Sequence, residues 1–232
     1  MSIVSLAEVK KSYALGATTV EAVKGVSFSI EKGDFISIAG PSGSGKSTIL
    51  NMIGLVDSPS SGEVRIEDRP VSGLDDRERT RLRHRTIGFI FQSFNLIPVL
   101  DVRENVEFPL LLGRDSRMTK ERRNYIDFLL EEVGLSDHQA HKPNELSGGQ
   151  RQRVAIARAL VTKPLIVLAD EPTANLDSAT GEAILDLMRK INKEMETTFI
   201  FSTHDAKIVD MADHIVRLRD GAVVENFRPE RN

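Results

Sequence analysis

The stretch "GPSGSGKST", from Gly40 to Thr48, constrains the fold of this 232-residue chain more than any other. It fits the pattern G-x-x-x-x-G-K-[ST], with Gly40, Gly45, Lys46 and Ser47 at the four specified positions. The apolar run "FISIA" precedes it and the helix-like "STILNMIGL" follows. Glycines in this arrangement let backbone N–H groups and a helix N-terminus approach a triphosphate. The sequence therefore predicts a nucleotide-binding strand, loop and helix in preference to an ordinary glycine-rich turn.

The side chains of this loop have separate roles in that prediction. Lys46 reaches the terminal phosphates and is a candidate catalytic residue, while the Ser47 hydroxyl holds Mg²⁺. The other candidate ATP-binding residues of the loop are Gly40, Ser42, Gly43, Ser44, Gly45 and Thr48.

Four short runs are nearly continuous in apolar or β-forming residues, as strands of a doubly covered parallel sheet must be. They are Phe35–Ala39, Ile87–Phe91, Leu165–Ala169 and Thr198–Ser202. Helical periods alternate with them, which favours an α/β fold with a mostly parallel sheet. Because ligands of such sheets bind beyond the carboxyl ends of the strands, the polar residues that follow these runs should converge on one crevice.

Asp170 and Glu171 follow the third run directly. Asp170 is the natural Mg²⁺ partner of a phosphate-binding loop, and Glu171 is displaced towards an attacking water as a candidate general base. Seen alone, this pair could instead cap a helix. Gln92 and His204 follow two other strands: Gln92 could bind metal or water, and His204 could reach the terminal phosphate or the water, although a lone histidine is more often structural.

A second pair of glycines stands where another apolar-patterned helix begins, in "NELSGGQRQRVAIARAL" (Asn144–Leu160). Ser147 and the N–H groups of Gly148 and Gly149 could donate to a phosphate. The chain already has one such helix start at Gly40–Thr48, and the residues alone leave open what the second one serves.

The remaining chain predicts a smaller sheet and a helical insertion. Alternating apolar residues at 26–30 and 64–66, and two runs around the Asp220-Gly221 turn, predict an antiparallel edge or a small side sheet. Between 94 and 160 the period becomes helical, with Thr119 as a cap and Gly134 at a helix end. We expect one domain, with a core of residues 1–92 and 161–232 and an inserted helical lobe of residues 93–160.

The apolar residues after Gln92 are the segment for which two interpretations stay open. They are Phe94, Leu96, Ile97, Val99 and Leu100. Some of them could form an apolar rim where a short helix of a partner docks, or all could pack the core of the lobe.

Composition excludes several other classes of protein. The net charge of −3 argues against binding nucleic acid through bulk positive charge, and the absence of cysteine excludes disulfides and thiolate metal sites. No apolar run approaches the roughly 20 residues that span a bilayer, and the start lacks a signal-peptide pattern, so the chain is expected to be soluble by itself. Tyr13 is the plausible early aromatic for stacking an adenine, and core packing is an equal alternative.

Six motifs occur in the order and context of the ATP-binding subunits of ABC transporters, which the chain resembles over essentially its whole length. They are "GPSGSGKST", Gln92, "LSGGQ", "LIVLADEP", "NLD" and "STHD". By this resemblance, Tyr13 looks like the A-loop aromatic, Gln92 the Q-loop, Asp177 the D-loop and His204 the switch histidine, while the signature comprises Ser147, Gly148, Gly149 and Gln150. It implies ATP and Mg²⁺ as cofactors and a P-loop NTPase (RecA-like) core.

The resemblance also has implications for partners. Two subunits of this family bind head to tail, so that the signature of one closes over the nucleotide held by the other. The stretches "FQSFNLIPVLDVRENVEFPLLL" and "DEPTANLDS" are similar to the lipoprotein-release, macrolide-efflux and cell-division branch, where Gly often replaces Ala174. An integral membrane permease and a location at the cytoplasmic face of the inner membrane are thereby implied, and no nucleic acid is expected.

Two other functions compete with a transport ATPase. Soluble ABC proteins that act on DNA carry long coiled coils between phosphate loop and signature, and those that act on the ribosome usually carry two cassettes; this chain has a short lobe and one cassette. A small-molecule kinase would explain Gly40–Thr48 but would leave "LSGGQ" and His204 without a role.

Overall fold

The computed structural model describes residues 1–16, 18–113 and 117–230. The strands are β1 (Ser2–Leu15), β2 (Thr18–Glu31), β3 (Phe35–Ala39), β4 (Ser61–Ile66), β5 (Arg69–Pro70), β6 (Ile87–Ile90), β7 (Ile166–Asp170), β8 (Thr198–Thr203), β9 (His214–Arg219) and β10 (Ala222–Phe227). The α-helices are α1 (Lys46–Ile53), α2 (Asp76–Thr86), α3 (Val102–Leu111), α4 (Lys120–Glu132), α5 (Gly148–Leu160), α6 (Ser178–Met195) and α7 (Ala206–Met211). Within these described ranges, no helix has both the length and the apolar character needed to cross a membrane.

The main sheet has the strand order β10-β9-β3-β8-β7-β6. Five of its strands run parallel, and the edge strand β10 pairs with β9 in the antiparallel sense. The four strands predicted from apolar runs are confirmed to within one residue at each end as β3, β6, β7 and β8. The hairpin predicted around Asp220-Gly221 is also confirmed, and it extends this main sheet.

A second, four-stranded sheet has the order β2-β1-β4-β5 and is antiparallel throughout. It contains the alternating residues at 26–30 and 64–66, so the predicted side sheet is confirmed. The apolar residues of this sheet pack with α1 against one face of the main sheet. This packing brings β2 beside the phosphate-binding loop.

The other face of the main sheet is covered by helices. Residues of α3, α4, α5 and α6 share one buried cluster with β3, β7 and β8, including Ile126, Ile156 and Phe199. Thr119 caps α4 as predicted, because its hydroxyl accepts the N–H of Arg122 at 3.2 Å. These helices pack directly on the sheet, and α5 thereby carries its N-terminus to a defined position relative to the strands.

An ion pair between the exposed Arg228, directly after β10, and the buried Asp34 ties this part of the chain to the amino-terminal end of β3. Arg228 donates to both carboxylate oxygens of Asp34, at 2.9 and 2.8 Å, and the N–H of Glu31 donates to the same carboxylate at 2.8 Å. Burial alone would raise the pKa of Asp34, but the hydrogen bonds from His214 and Arg228 outweigh it and hold that pKa well below its usual range. The pair therefore stabilises the fold when Asp34 is ionised.

We expect Arg228→Gln to lower the free energy of unfolding by about 1–3 kcal/mol at pH 7, because a buried carboxylate loses its charged partner while solvent reaches part of the gap. A depressed folded pKa gives stability that is present above the ordinary carboxyl pKa of about 4 and is lost as the pH falls further. The free energy of unfolding, measured in urea, should therefore depend less on pH below about 4 in Arg228→Gln than in the wild type. The matched control is Arg217→Gln on the same hairpin, whose pair with Glu225 is about half exposed. An equal effect of the two substitutions would contradict the role of burial.

Candidate active site

A cleft of about 650 Å³ lies at the carboxyl ends of β3, β6, β7 and β8. The predicted site residues that line it are Ser42, Gly43, Gly45, Lys46, Ser47, Thr48, Gln92, Asp170, Glu171 and His204. Residues from four strand ends thus meet in one place, as the parallel sheet requires. Ala22 and Pro41 also line the cleft, and no sequence signal distinguished Ala22 because it lies on β2 of the other sheet.

The loop between β3 and α1 is shaped by glycine. A Cβ at Gly45 would lie 2.6 Å from the carbonyl oxygen of Ala22, and its φ of +101° lies in the region that disfavours other residues. A Cβ at Gly40 would lie 2.4 Å from the carbonyl oxygen of Leu218. Gly40 and Ser44 form the back of the loop, and Ser44 is only 2% exposed. The loop can therefore hold its shape only with glycine at these positions.

Lys46 is folded over this loop. Its Nζ donates to the carbonyl oxygens of Gly40 and Pro41, at 2.8 and 2.9 Å. Only 7% of Lys46 is exposed, and the residue lines the cleft. The loop therefore holds the ammonium group beside the space that a phosphate would enter. A phosphate entering the cleft would meet this charge together with the N-terminus of α1.

Hard oxygen donors meet at one side of the cleft. The Ser47 hydroxyl donates to the Asp170 carboxylate at 3.3 Å, and the side chain of Gln92 lines the same space. Hydroxyl, carboxylate and amide oxygens are the ligands that Mg²⁺ takes in phosphate sites, where one or two carboxylates are usual. Of the three predicted metal ligands, Ser47 and Asp170 are thus in contact, and Gln92 lines the same cleft.

Glu171 is held in an unusual backbone conformation, with φ at +45°, directly after β7. Its Oε1 lies 2.7 Å from Nδ1 of His204, and its Oε2 accepts the Thr203 hydroxyl at 3.3 Å. His204 follows β8, the strand beside β7, as the sequence predicted. Both carboxylate oxygens of Glu171 are thus oriented by the neighbouring strand end, while the imidazole is 71% exposed towards the cleft.

Tyr13 lies at the rim and outside the lining of the cleft. Its hydroxyl donates to Asp57 at 2.8 Å, and the Thr48 side chain is a second hydrogen-bonding neighbour. Tyr13 pairs with Val20 in the sheet, two positions from the cleft residue Ala22. The ring is half-buried, so both of the predicted roles, stacking and packing, are compatible with its place.

The signature residues do not join the cleft of their own chain. Ser147 caps α5: its hydroxyl accepts the N–H of Gln150 at 3.2 Å, and the Gln150 side chain accepts the N–H of Ser147 at 2.9 Å. Added Cβ atoms at Gly148 and Gly149 would lie 3.3 Å from Leu176 and 2.5 Å from Thr180. The start of α5 is therefore packed against the start of α6, which Asp177 caps.

The opposite end of α5 borders a second cavity, which we call the apolar groove. It has a volume of about 280 Å³ and is lined among others by His84, Phe89, Phe91, Ile97, Phe108 and Arg158. Of the five apolar residues after Gln92, Ile97 lines the groove, Leu96 packs against the core, and Val99 is 75% exposed. Core packing thus holds for Leu96, whereas docking of a partner helix at the other residues stays a prediction.

Comparisons with known proteins give a consistent result. A profile of the ABC transporter family matches residues 23–174. The chain is 45% identical over 225 residues to the lipoprotein-releasing system ATP-binding protein LolD of Myxococcus xanthus, covering 97% of this chain and 100% of that protein. It is 43% identical over 223 residues to the macrolide export ATP-binding/permease protein MacB of Syntrophobacter fumaroxidans, covering 96% of this chain and 31% of that longer protein.

A solved structure is similar over the same length. It is the dimeric, post-hydrolysis state of the ATP-binding cassette MJ0796 from Methanocaldococcus jannaschii, bound to ADP and Pi, with a TM-score of 0.89 and 46% identity. The match covers 99% of this chain and 100% of that one. These findings confirm both the fold and the branch that the motifs indicated. The chain belongs to the ABC transporter family, as an ATP-binding and ATP-hydrolysing cassette of the kind found in lipoprotein-releasing and macrolide-export systems.

Proposed function

We propose that this ATPase drives an integral membrane permease from the cytoplasmic face of the inner membrane, as a homodimer that closes on ATP. The observation that carries the proposal is the course of α5, which begins at the signature and ends at the apolar groove. One helix thereby connects a surface suited to phosphate with a surface suited to a partner. The similarity to LolD and MacB, which are named as proteins of a lipoprotein-releasing system and of macrolide export, supports this proposal.

ATP binds in the cleft with its phosphates against the loop of Gly40–Thr48. Lys46 exchanges its carbonyl contacts for the terminal phosphates, and Tyr13 offers its ring to the adenine at the rim. Ser47, Asp170 and Gln92 would hold Mg²⁺, which would neutralise charge on the phosphates. The fit of the metal rests on the oxygen donors of these three residues, of which Ser47 and Asp170 are already in contact.

Glu171 is the general base of hydrolysis. Its carboxylate is adjacent to the metal ligand Asp170 and is oriented by Thr203 and His204, so it can accept a proton from a water at the terminal phosphate. His204 lines the same cleft and donates towards the developing charge. Lys46, which lines the cleft as well, also stabilises that charge.

Each site is completed by the signature of a second copy. Ser147, Gly148, Gly149 and Gln150 lie outside the cleft of their own chain, yet the hydroxyl and helix N-terminus are suited to a γ-phosphate. ATP can therefore join two copies, whereas ADP lacks the phosphate that the signature would bind. The dimeric state described for MJ0796 is consistent with this arrangement.

A short helix of the permease docks in the apolar groove. The aromatic residues Phe89, Phe91 and Phe108 line it, and Phe91 is 39% exposed, so an apolar surface is accessible there to a partner. The Arg158 guanidinium, which also lines the groove, donates to the carbonyl oxygens of Phe94 and Asn95, so α5 and the loop after β6 meet there. A helix seated in the groove would contact both elements.

We expect Phe91→Asp to abolish co-purification of the permease in mild detergent, because a carboxylate would have to be desolvated in an apolar contact. Phe128→Asp is the matched control, since Phe128 is 44% exposed and lies outside the groove on α4. Far-UV circular dichroism and thermal melting of both variants verify folding. Retention of the permease by Phe91→Asp, or equal loss with Phe128→Asp, would contradict docking in the groove.

A further inference from the structure

A cluster of polar groups at the end of β1 connects Tyr13 to the segment that follows α1. The Tyr13 hydroxyl donates to Oδ2 of Asp57 at 2.8 Å, and Lys11 Nζ donates to Oδ1 at 2.5 Å. The same ammonium group donates to the carbonyl oxygen of Ser58 at 2.8 Å and lies 4.9 Å from the centroid of the Tyr13 ring. One carboxylate therefore holds both a phenol and a cation that faces the ring.

Backbone contacts show that the cluster is built into the fold. The N–H of Ser60 donates to the carbonyl oxygen of Lys10 at 2.8 Å, and the N–H of Ser12 donates to the Ser60 hydroxyl at 3.1 Å. The N–H of Asp57 donates to Asn51 of α1 at 3.1 Å. The position of the carboxylate is thus set by α1, the helix that begins with the phosphate-binding loop.

We propose that Asp57 is a positioning residue for the nucleotide base: it holds the Tyr13 ring at the rim so that one face is available to stack on the base while Lys11 covers the other. This inference rests on the proposed role of Tyr13 in binding ATP. Asp57 contacts neither the base nor the phosphates, and it acts only through the ring.

The hydrogen bond that the Tyr13 hydroxyl donates to Asp57 supports this role. A tyrosine that donates to an ionised carboxylate makes a strong, charge-assisted hydrogen bond, which restricts rotation of the ring. Burial and this hydrogen bond raise the pKa of Tyr13, while Thr48 opposes them; the pKa of Asp57 is lowered by Lys11 and Tyr13 despite its burial. Without the carboxylate, the Lys11 ammonium and the phenol would lose their common acceptor, and the ring would sample other orientations.

The alternative is that the cluster only fastens the segment of residues 57–60 to β1. In that case its loss would lower stability and would affect every ligand of the cleft alike. If the cluster positions the ring, its loss should weaken the binding of ATP, whose base stacks on the ring. The binding of a polyphosphate that has no base should be unchanged.

The first experiment is steady-state ATP hydrolysis by Asp57→Ala, Tyr13→Phe and the double variant. Base stacking on an aromatic residue contributes about 1–3 kcal/mol, and loss of orientation forfeits part of it, so we expect KM for ATP to rise roughly 3- to 10-fold in Asp57→Ala. We expect kcat to stay within about 2-fold, because the reacting groups are untouched. The effects of the two single substitutions on KM should be strongly non-additive, since each breaks the same hydrogen bond.

The second experiment uses the composition of the chain. It has two tyrosines and no tryptophan, so in a Tyr125→Phe background the intrinsic fluorescence comes from Tyr13 alone. ATP should quench this emission, and inorganic tripolyphosphate should leave it nearly unchanged. Adding Asp57→Ala should weaken the apparent affinity for ATP measured by quenching, while the affinity for tripolyphosphate, measured by competition against ATP, stays the same.

Asp57→Asn covers the case in which Asp57→Ala does not fold. It keeps an oxygen that accepts from Tyr13 and loses the charge that pairs with Lys11, so its KM should lie between those of the wild type and Asp57→Ala. Unchanged KM in a folded Asp57 variant, or equal loss of ATP and tripolyphosphate affinity, would overturn the proposal. If Tyr13→Ala also leaves KM unchanged, the failure lies in the proposed role of Tyr13; if Tyr13→Ala raises KM and the Asp57 variants do not, only the role of Asp57 is wrong.

Discussion

Glu171→Gln is expected to bind ATP as tightly as the wild type and to lose about 10²–10⁴-fold in turnover, which leaves a long-lived ATP-bound dimer. The amide keeps the size of the carboxylate but cannot accept a proton from water. Oε1 and Oε2 of Glu171 are held by His204 and Thr203, so the substitution should leave the strand end in place. Single-turnover hydrolysis and size-exclusion chromatography with ATP measure the two effects.

Two variants are controls for this result. Glu182→Gln removes a carboxylate from the exposed side of α6, where its partner is Lys207, and should leave turnover unchanged. Lys46→Ala weakens the phosphate contacts themselves and should not yield a trapped dimer. Brisk hydrolysis by Glu171→Gln would exclude Glu171 as the base.

The second large effect concerns sharing of sites between two chains. In a covalently linked pair, one protomer carries Lys46→Ala and the other Ser147→Arg. If signature and phosphate loop act across chains, one whole site remains, and we expect roughly half of the activity of an unmutated pair because independent sites add. If they act within a chain, no whole site remains and activity is lost.

The control pair joins an unmutated protomer to one that carries both substitutions, and it reverses the expectation. Across chains both of its sites are damaged, whereas within a chain one site survives. Because Ser147 is the N-cap of α5, Ser147→Arg also removes a cap worth about 1 kcal/mol. Ser147→Ala removes the same cap without the bulk, and it separates the two causes. Activity in the control pair alone would contradict shared sites.

Much of the fold was predictable because its signals are local. Apolar runs such as Phe35–Ala39 and Thr198–Ser202 are typical of buried strands, and Thr119 directly precedes a helical period. The helix α2 gave no such signal: of its residues only Thr86 is buried, so it has almost no apolar stripe. Its capping box of Asp75 and Glu78 was the available sign.

The residues of the site could be predicted from the sequence where they belong to a recognisable motif. Lys46, Asp170 and Glu171 follow strands of one sheet and meet where that topology requires. The partner of Tyr13 could not be predicted, because Asp57 is 44 positions away and reaches the ring only through the pairing of β1 with the segment after α1. Of the residues that line the groove, Ile97 was predicted, but Phe89 and Phe108 were not, because they lie on separate elements that only the tertiary fold brings together. The boundary between core and helical lobe stays a prediction.

The course of α5 has a thermodynamic consequence. This helix of 13 residues extends for about 20 Å, with phosphate donors at one end and the groove at the other. If a γ-phosphate at its start changes the affinity for a partner at its end, then by reciprocity the partner must change the affinity for ATP by the same factor. The coupling free energy can therefore be measured without a membrane or a cargo, from the dissociation constant of ATP in the Glu171→Gln protein with and without a peptide from the permease seated in the groove.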